Sequence, residues 1–514
     1  MLTREQEMAR DHLFGPCLVT AGPGSGKTRV LTERIIHLLQ YTSPDRICVI
    51  TFTRAAAEQM KKRFQASTDQ KTAEEVTFGT FHSVFYRWLL SWHVVDSKSE
   101  ILDRDNQEVP AFLLGQWDAE AYRNWKKEHH YIDFDDIIDL TEEALSYHHP
   151  DQMYDFFLID EFQDIDQKQY EVVRKMVGKT ANLFVVGDED QSIYGFRGSF
   201  SSVMMQFLKD YPKASHLFLS VNFRCSQEIT KRSVQLISHN QQRYDKNLRS
   251  SSGDHTPMRI HSYKTTLDEL RNAARRIRHL HIMGKVSYSD IAVLSRTGRE
   301  ADMMIQALRE AGIPYKNKIR SSEFIHRQFL DIGQDIEWII NAEKDSVKEE
   351  NIRKMERYFP IVRQMNRPDL RSDEIIEKEQ LERLFKRMNS GSEKKKAMDL
   401  IWNSAYIYFL MDRMKKNGLP FYYPLLQFYR LGKEEKSGVF VNTLHQSKGL
   451  EFRAVWIIGV NEGSLPHTQS FDLPEAMEEE RRLLYVGMTR AKKYLSLSFS
   501  EEMPPSRFLS EINS

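Results

Sequence analysis

The sequence predicts an α/β protein built on two parallel sheets, and three observations predict it. Short apolar runs rich in β-formers alternate with amphipathic helical stretches over the first third of the chain. A second set of such runs follows later, and 514 residues leave room for three to four domains of ordinary size. In chain order the first set of strands is Cys17–Thr20, Ile47–Thr51, Phe156–Ile159 and Leu183–Val186. Each is a short, nearly continuous apolar run, the pattern of a strand covered on both faces. The second set is Leu217–Val221, Ile291–Leu294, Val439–Asn442, Val455–Ile458 and Leu495–Ser498. Two segments between them, about 90 to 130 and about 335 to 437, carry charged residues with Leu, Ile, Met, Phe and Trp at helical spacing, and read as helical insertions without strands.

Composition narrows the partners. Lys+Arg and Asp+Glu are each 73, so the formal net charge is zero and a polyanion would have to be held by local basic patches. That excludes a histone-like binder. Cys17, Cys48 and Cys225 are too few and too dispersed for a disulfide framework or a four-ligand zinc site, which points to a reducing compartment. The start, Met1-Leu-Thr-Arg-Glu-Gln-Glu7, carries acids where a signal peptide needs a basic and then apolar stretch. Apolar runs such as Val455–Val460 fall far short of the roughly 20 residues that cross a bilayer. The expectation is a cytoplasmic protein with no membrane partner.

The sharpest local signal is Ala21-Gly-Pro-Gly-Ser-Gly-Lys-Thr28, set between a predicted strand and a predicted helix. Glycines let backbone N–H groups converge on phosphate oxygens, the helix N-terminus adds positive potential, Lys27 neutralises the terminal phosphates and the Thr28 hydroxyl can ligate Mg²⁺. Gly22, Gly24, Ser25, Gly26, Lys27, Thr28 and Arg29 are therefore the candidate nucleotide contacts. Ala21 departs from the usual first glycine of the pattern. Downstream, Leu158-Ile-Asp-Glu-Phe-Gln-Asp164 ends a buried strand in two adjacent acids: Asp160 for Mg²⁺, and Glu161 to orient or deprotonate the attacking water.

Taken together with seven further motifs, these residues resemble the UvrD/Rep/PcrA-like DNA helicases of superfamily one, through nearly the whole chain. The further motifs are Leu2-Thr-Arg-Glu-Gln6, Thr51-Phe-Thr-Arg-Ala-Ala-Ala57, Thr77-Phe-Gly-Thr-Phe-His82, Val186-Gly-Asp-Glu-Asp-Gln-Ser-Ile-Tyr-Gly-Phe-Arg-Gly198 and, later, Asn222-Phe-Arg224 with Thr443–Phe452, and Glu480–Lys492. The resemblance implies two RecA-like domains that use ATP and Mg²⁺ to move on single-stranded or tailed double-stranded DNA, with 3′-to-5′ polarity. It implies that Gln6 reads adenine, Gln191 links the γ-phosphate to the strand-contacting loop, Glu451 contacts the ribose, and Arg224 and Arg490 act as arginine fingers. Phe223 stands where the family commonly has Tyr, which keeps stacking on adenine and loses a phenol hydrogen bond. Phe52, His82, Tyr194, Phe196, Arg197 and His445 fall at strand-contacting positions, Phe196 replacing the commoner Trp.

The same resemblance divides the chain into a first domain (1–89 and 131–218) with an insertion at 90–130, and a second (219–334 and 438–514) with an insertion at 335–437. Both insertions are reduced relative to the family, and no appended nuclease domain is expected. In size the chain resembles the helicase-like subunit of Gabija anti-phage systems, which works beside an OLD-family nuclease subunit. Two functions stand: an autonomous helicase of DNA repair or antiviral defence, and a DNA-sensing ATPase subunit that gates a partner nuclease.

Overall fold

The computed structural model describes residues 2–96, 98–102, 119–150, 153–177, 182–195, 202–316 and 437–513. Its strands, in chain order, are β1 (Cys17–Ala21), β2 (Ile47–Thr51), β3 (Thr77–Thr80), β4 (Glu100–Ile101), β5 (Tyr131–Ile132), β6 (Phe156–Ile159), β7 (Asn182–Gly187), β8 (Ser215–Leu219), β9 (Val221–Asn222), β10 (Arg249–Ser250), β11 (Arg259–Tyr263), β12 (Ile291–Ser295), β13 (Tyr315–Lys316), β14 (Val439–Thr443), β15 (Phe452–Ile457) and β16 (Ala491–Ser500). They build two sheets of six parallel strands, ordered β3-β2-β6-β7-β1-β8 and β11-β16-β15-β12-β14-β13. This is the α/β architecture that the apolar runs predict.

The first sheet shows why those runs are continuous. Leu18, Cys48, Ile50, Phe157, Ile159, Leu183 and Val185 belong to one apolar cluster. Their immediate neighbours Cys17, Val19, Ile47, Val49, Phe156, Leu158, Phe184 and Val186 belong to another. Successive side chains on a strand point to opposite faces, so a sheet covered on both sides must be apolar at every position. Each fully buried Val, Leu, Ile or Phe contributes about 1.5–3 kcal/mol by leaving water. The helix Lys27–Leu38 supplies Val30, Leu31, Ile35 and Leu38 to the second cluster, while the helices Phe81–Ser91 and Phe134–Ala144 supply Phe81, Phe85, Ile137 and Ile138 to the first.

Two expectations need correction. The run Leu217–Val221 divides: Ser215–Leu219 is β8, which pairs with β1 in the first sheet, and Val221–Asn222 is β9, which pairs with β10. β7 occupies only one side of β1, so the backbone groups on its other side require a strand, and β8 provides it. The segment 90–130 is not strand-free either, because Glu100–Ile101 pairs in parallel with Tyr131–Ile132. A two-residue pair leaves no run for a hydrophobic pattern to show. Almost all of the expected insertion at 335–437 lies outside the described residues.

By contact density the chain divides into two compact units: Met1–Leu102 with Lys126–Arg296 and Thr443–Ser514, and Asp103–Trp125 with Thr297–Asn442. All site residues discussed below belong to the first.

Candidate nucleotide and strand-binding site

Parallel strands direct their C-terminal ends to one edge, where ligands of open α/β sheets bind. β1 runs into the glycine-rich loop, β6 into Asp160 and Glu161, and β7 into Asp188 and Gln191, and these three strands are neighbours in the sheet. In the loop, Gly24 and Gly26 have φ of 66° and 84°, left-handed values that favour glycine. Gly24 is also crowded: a Cβ there would stand 2.6 Å from Arg224 Cβ and 2.7 Å from Asn222 Oδ1. The loop is thus fitted to the segment that carries Arg224, and Phe223 N donates to Gly24 O at 2.9 Å. Gly22 and Ser25 are buried, and the Ser25 hydroxyl has no hydrogen-bond partner. Gln6 is buried, accepts from Thr3 N and donates through Nε2 to Ser25 O at 2.9 Å, which braces the loop from the N-terminal helix Arg4–Asp11. Lys27 and Thr28 open the helix that follows, and Arg29 is exposed.

Lys27 Nζ lies 3.9 Å from Glu161 Oε2. Glu161 itself adopts a left-handed backbone (φ 52°, ψ 42°), which turns the chain sharply after β6. Asp160 is buried and its carboxyl is pushed up to about 7, first by burial and then by the charge of Glu161. Burial acts on Glu161 in the same sense, but Lys27, Lys448 and the hydrogen bond from Gln163 outweigh it and hold this carboxyl below its ordinary value. Two adjacent acids are thus driven apart, the pattern of groups with different tasks. Asp164, four residues on, is pushed up to about 6 by burial, against the pull of Lys448.

Gln191 is the junction of the site. Its backbone N donates to Asp188 O at 2.9 Å, its side-chain Nε2 donates to Asp188 Oδ2, and its Oε1 accepts from Arg490 Nη2 at 3.1 Å. Its backbone carbonyl accepts from Lys448 Nζ at 2.7 Å, and the same ammonium reaches Asp164 at 2.5 and 2.7 Å and sits 5.0 Å from the Tyr194 ring centre. Arg490 follows the helix Pro474–Met488 and is buried, with Nε bonded to Val486 O and Nη1 to Leu450 O. Burial, with the nearby Arg224, lowers its pKa to about 9, which leaves it charged at neutral pH. Arg224 bonds Glu451 Oε2 at 2.9 Å and Thr489 O at 3.3 Å, and Lys492 engages the other Glu451 oxygen at 2.8 Å. Phe223 stands beside them, 51 % exposed, a ring available for stacking.

On the strand side, Phe52 and Tyr194 stack with ring centres 5.7 Å apart and planes 12° apart. A pocket beside them is lined by Phe52, Thr80, Phe81, His82, Asp164, Asp166, Gln169 and Tyr194. His82 packs on Phe134 at 4.7 Å, and burial lowers its pKa. His445, half-buried, opens a short 3₁₀ turn that ends at Ser447, directly before Lys448. Phe196 and Arg197 lie outside the described residues. The structure therefore brings Gln6, the loop, Lys27, Asp160, Glu161, Gln191, Arg224 and Arg490 to one edge of the first sheet. It adds Lys448, Asp164, Asp188, Asn222 and Lys246, which sequence reasoning did not single out. Asp164, Asp188, Asn222 and Lys448 lie within quoted motifs, and that position was the available signal; Lys246 lies outside them.

The comparisons with known proteins agree with this geometry. The UvrD/REP helicase N-terminal domain matches residues 2–118 and 106–212, and the UvrD-like helicase C-terminal domain matches residues 217–360 and 340–502. DNA helicase II of Haemophilus influenzae is 30% identical over 97% of this chain and 85% of its own length. The ATP-dependent DNA helicases PcrA of Bacillus subtilis and Leuconostoc citreum are 29% and 28% identical, over 97% and 100% of this chain and 84% and 85% of theirs. With both domains matched in order and DNA helicase II 30% identical over 97% of the chain, the chain belongs to the UvrD/REP helicase family.

Proposed function

We propose that this protein is an ATP-dependent DNA helicase that hydrolyses ATP at the edge of its first sheet and couples each turnover to its grip on a single strand. Family membership supports the ATP-driven DNA helicase activity. The observation that carries the coupling is the double engagement of Gln191: Arg490 holds its side-chain oxygen while Lys448 holds its backbone carbonyl beside the Tyr194 ring.

In this reading residues 1–89 and 131–218 form the ATP-binding domain, and 219–334 with 438–514 form the domain that supplies the fingers. The glycine-rich loop and Lys27 cradle the phosphates, Gln6 and Phe223 hold the base, and Glu451 meets the ribose. Glu161, held ionised, orients the attacking water and takes its proton. Arg224 and Arg490 stabilise charge on the transferring phosphoryl group, an effect worth 10³ to 10⁵ in rate for such arginines. Thr28 and Asp160 fit Mg²⁺, one hydroxyl and one buried acid, and the buried Ser25 hydroxyl of the same loop as Thr28 has no protein partner. When bound, that ion supplies positive charge to the phosphate oxygens. Phe52 and Tyr194 give bases a stacking surface worth roughly 1 to 3 kcal/mol per base, with His82, His445, Phe196 and Arg197 as further contacts.

ATP hydrolysis measured with and without single-stranded DNA tests the proposal. The expected result is strong stimulation by the strand, and hydrolysis indifferent to DNA would sink it. A motor of this kind serves repair or antiviral defence equally, and strand displacement by the isolated chain, set against co-purification with a nuclease, separates the helicase from a nuclease-gating subunit.

A further inference from the structure

We propose that Lys246 is a positioning residue for ATP hydrolysis, which sets the Gln191 carboxamide through Asp188. The inference rests on the hydrolysis reading above. Lys246 lies in the segment between the helix Gln227–Ile237 and β10, outside every motif that carries the family resemblance. Its side chain is buried, 3% exposed, and its ammonium stands 2.5 Å from Asp188 Oδ1, 3.0 Å from Glu189 Oε1 and 2.7 Å from Asp190 Oδ2. Arg243 adds a second cation on Asp190 at 3.0 Å.

A buried cluster of three acids and two cations is a poor device for stability, since apolar residues of similar volume commonly do as well. Its value lies in what it does to Asp188. An ionised carboxylate is acceptor-only, whereas a protonated one also donates. By keeping Asp188 ionised and fixing one of its oxygens, Lys246 leaves the other oxygen to accept from Gln191 Nε2. A carboxamide has one N end and one O end. With its N end committed to Asp188, its O end must face the other way, where it accepts from Arg490 Nη2 at 3.1 Å. The ammonium of Lys246 thus dictates, two bonds away, which face of Gln191 meets the finger.

Steady-state ATP hydrolysis at saturating single-stranded DNA, on the full chain, tests this with four proteins: wild type, Lys246→Met, Gln191→Ala and the double variant. Lys246→Met is expected to lower kcat about tenfold or more while KM for ATP stays within about twofold. In the Gln191→Ala background the same substitution is expected to cost less than about twofold, because residues acting as one unit are not additive. An undiminished kcat, a rise in KM at constant kcat, or the full loss persisting without Gln191 overturns the inference. Asp188→Asn guards against a Lys246 variant that does not fold. An amide with its oxygen on Lys246 presents N–H to Gln191, which forces the carboxamide round and is expected to lower kcat to a similar degree, and wild-type turnover in this variant overturns the inference. A wild-type chain without DNA-stimulated hydrolysis overturns the parent reading and this inference with it, whereas an unaffected Lys246→Met beside an active wild type overturns this inference alone.

Discussion

In the proposed site Lys27 and Arg490 serve the same phosphates from different elements, and their removal is expected to have different signatures. Lys27 opens the helix after the loop and, in the proposed role, meets nucleotide in the ground state, so Lys27→Ala is expected to abolish hydrolysis and weaken nucleotide binding together. Arg490 is held by Val486 O, Leu450 O and Thr489 Oγ1 and reaches Gln191 Oε1, so Arg490→Ala is expected to bind nucleotide nearly as wild type while turnover falls about 10³-fold or more. Nucleotide titration alongside steady-state hydrolysis distinguishes the two, and turnover retained in Arg490→Ala would falsify the role given to the finger. The loop, the paired acids and both arginines are legible in sequence because each sits in a short motif whose residue types are dictated by phosphate chemistry. Lys246 and Lys448 are not legible as partners of the acids, since their ion pairs join Lys246 to Asp188 and Lys448 to Asp164 across long stretches of chain that no local pattern spans.

Elements show the same limit. β1, β2 and β6 are buried at every position and announce themselves as apolar runs. β11, Arg-Ile-His-Ser-Tyr, is half-exposed at the sheet edge and shows no such run, and the sheet to which β8 belongs depends on pairing that no run reveals. β11 carries a testable consequence. His261 stacks on Trp456 at 5.2 Å, and burial, helped by Arg276 and Arg259, lowers its pKa to about 4 from 6.5. The unfolded chain therefore binds a proton that the folded chain refuses between those values, so this stability is present above pH 6.5 and is lost as pH falls toward 4. Thermal melting against pH is expected to fall over that window in the wild type and to fall less steeply in His261→Phe, which keeps a ring on Trp456 without a titrating group. Parallel profiles for the two proteins would remove His261 from the acid response.

At the scale of the molecule the proposed reading is a motor that moves on DNA, and 3′-to-5′ movement is the direction that the resemblance of its motifs implies. On partial duplexes of both polarities, displacement is expected for a 3′ single-stranded tail and little for a 5′ tail; the opposite preference reverses the assigned direction. No helix among the described residues is long and apolar enough to cross a membrane. The left-handed backbone at Glu161 bears on how such a protein changes over generations. That conformation costs a residue with a side chain about 1 kcal/mol relative to glycine. Selection for heat tolerance alone would favour glycine at this position and, in the role proposed for Glu161, silence the enzyme in the same step. A lineage that must keep turning over fuel instead carries that cost indefinitely and has to find its robustness in other places.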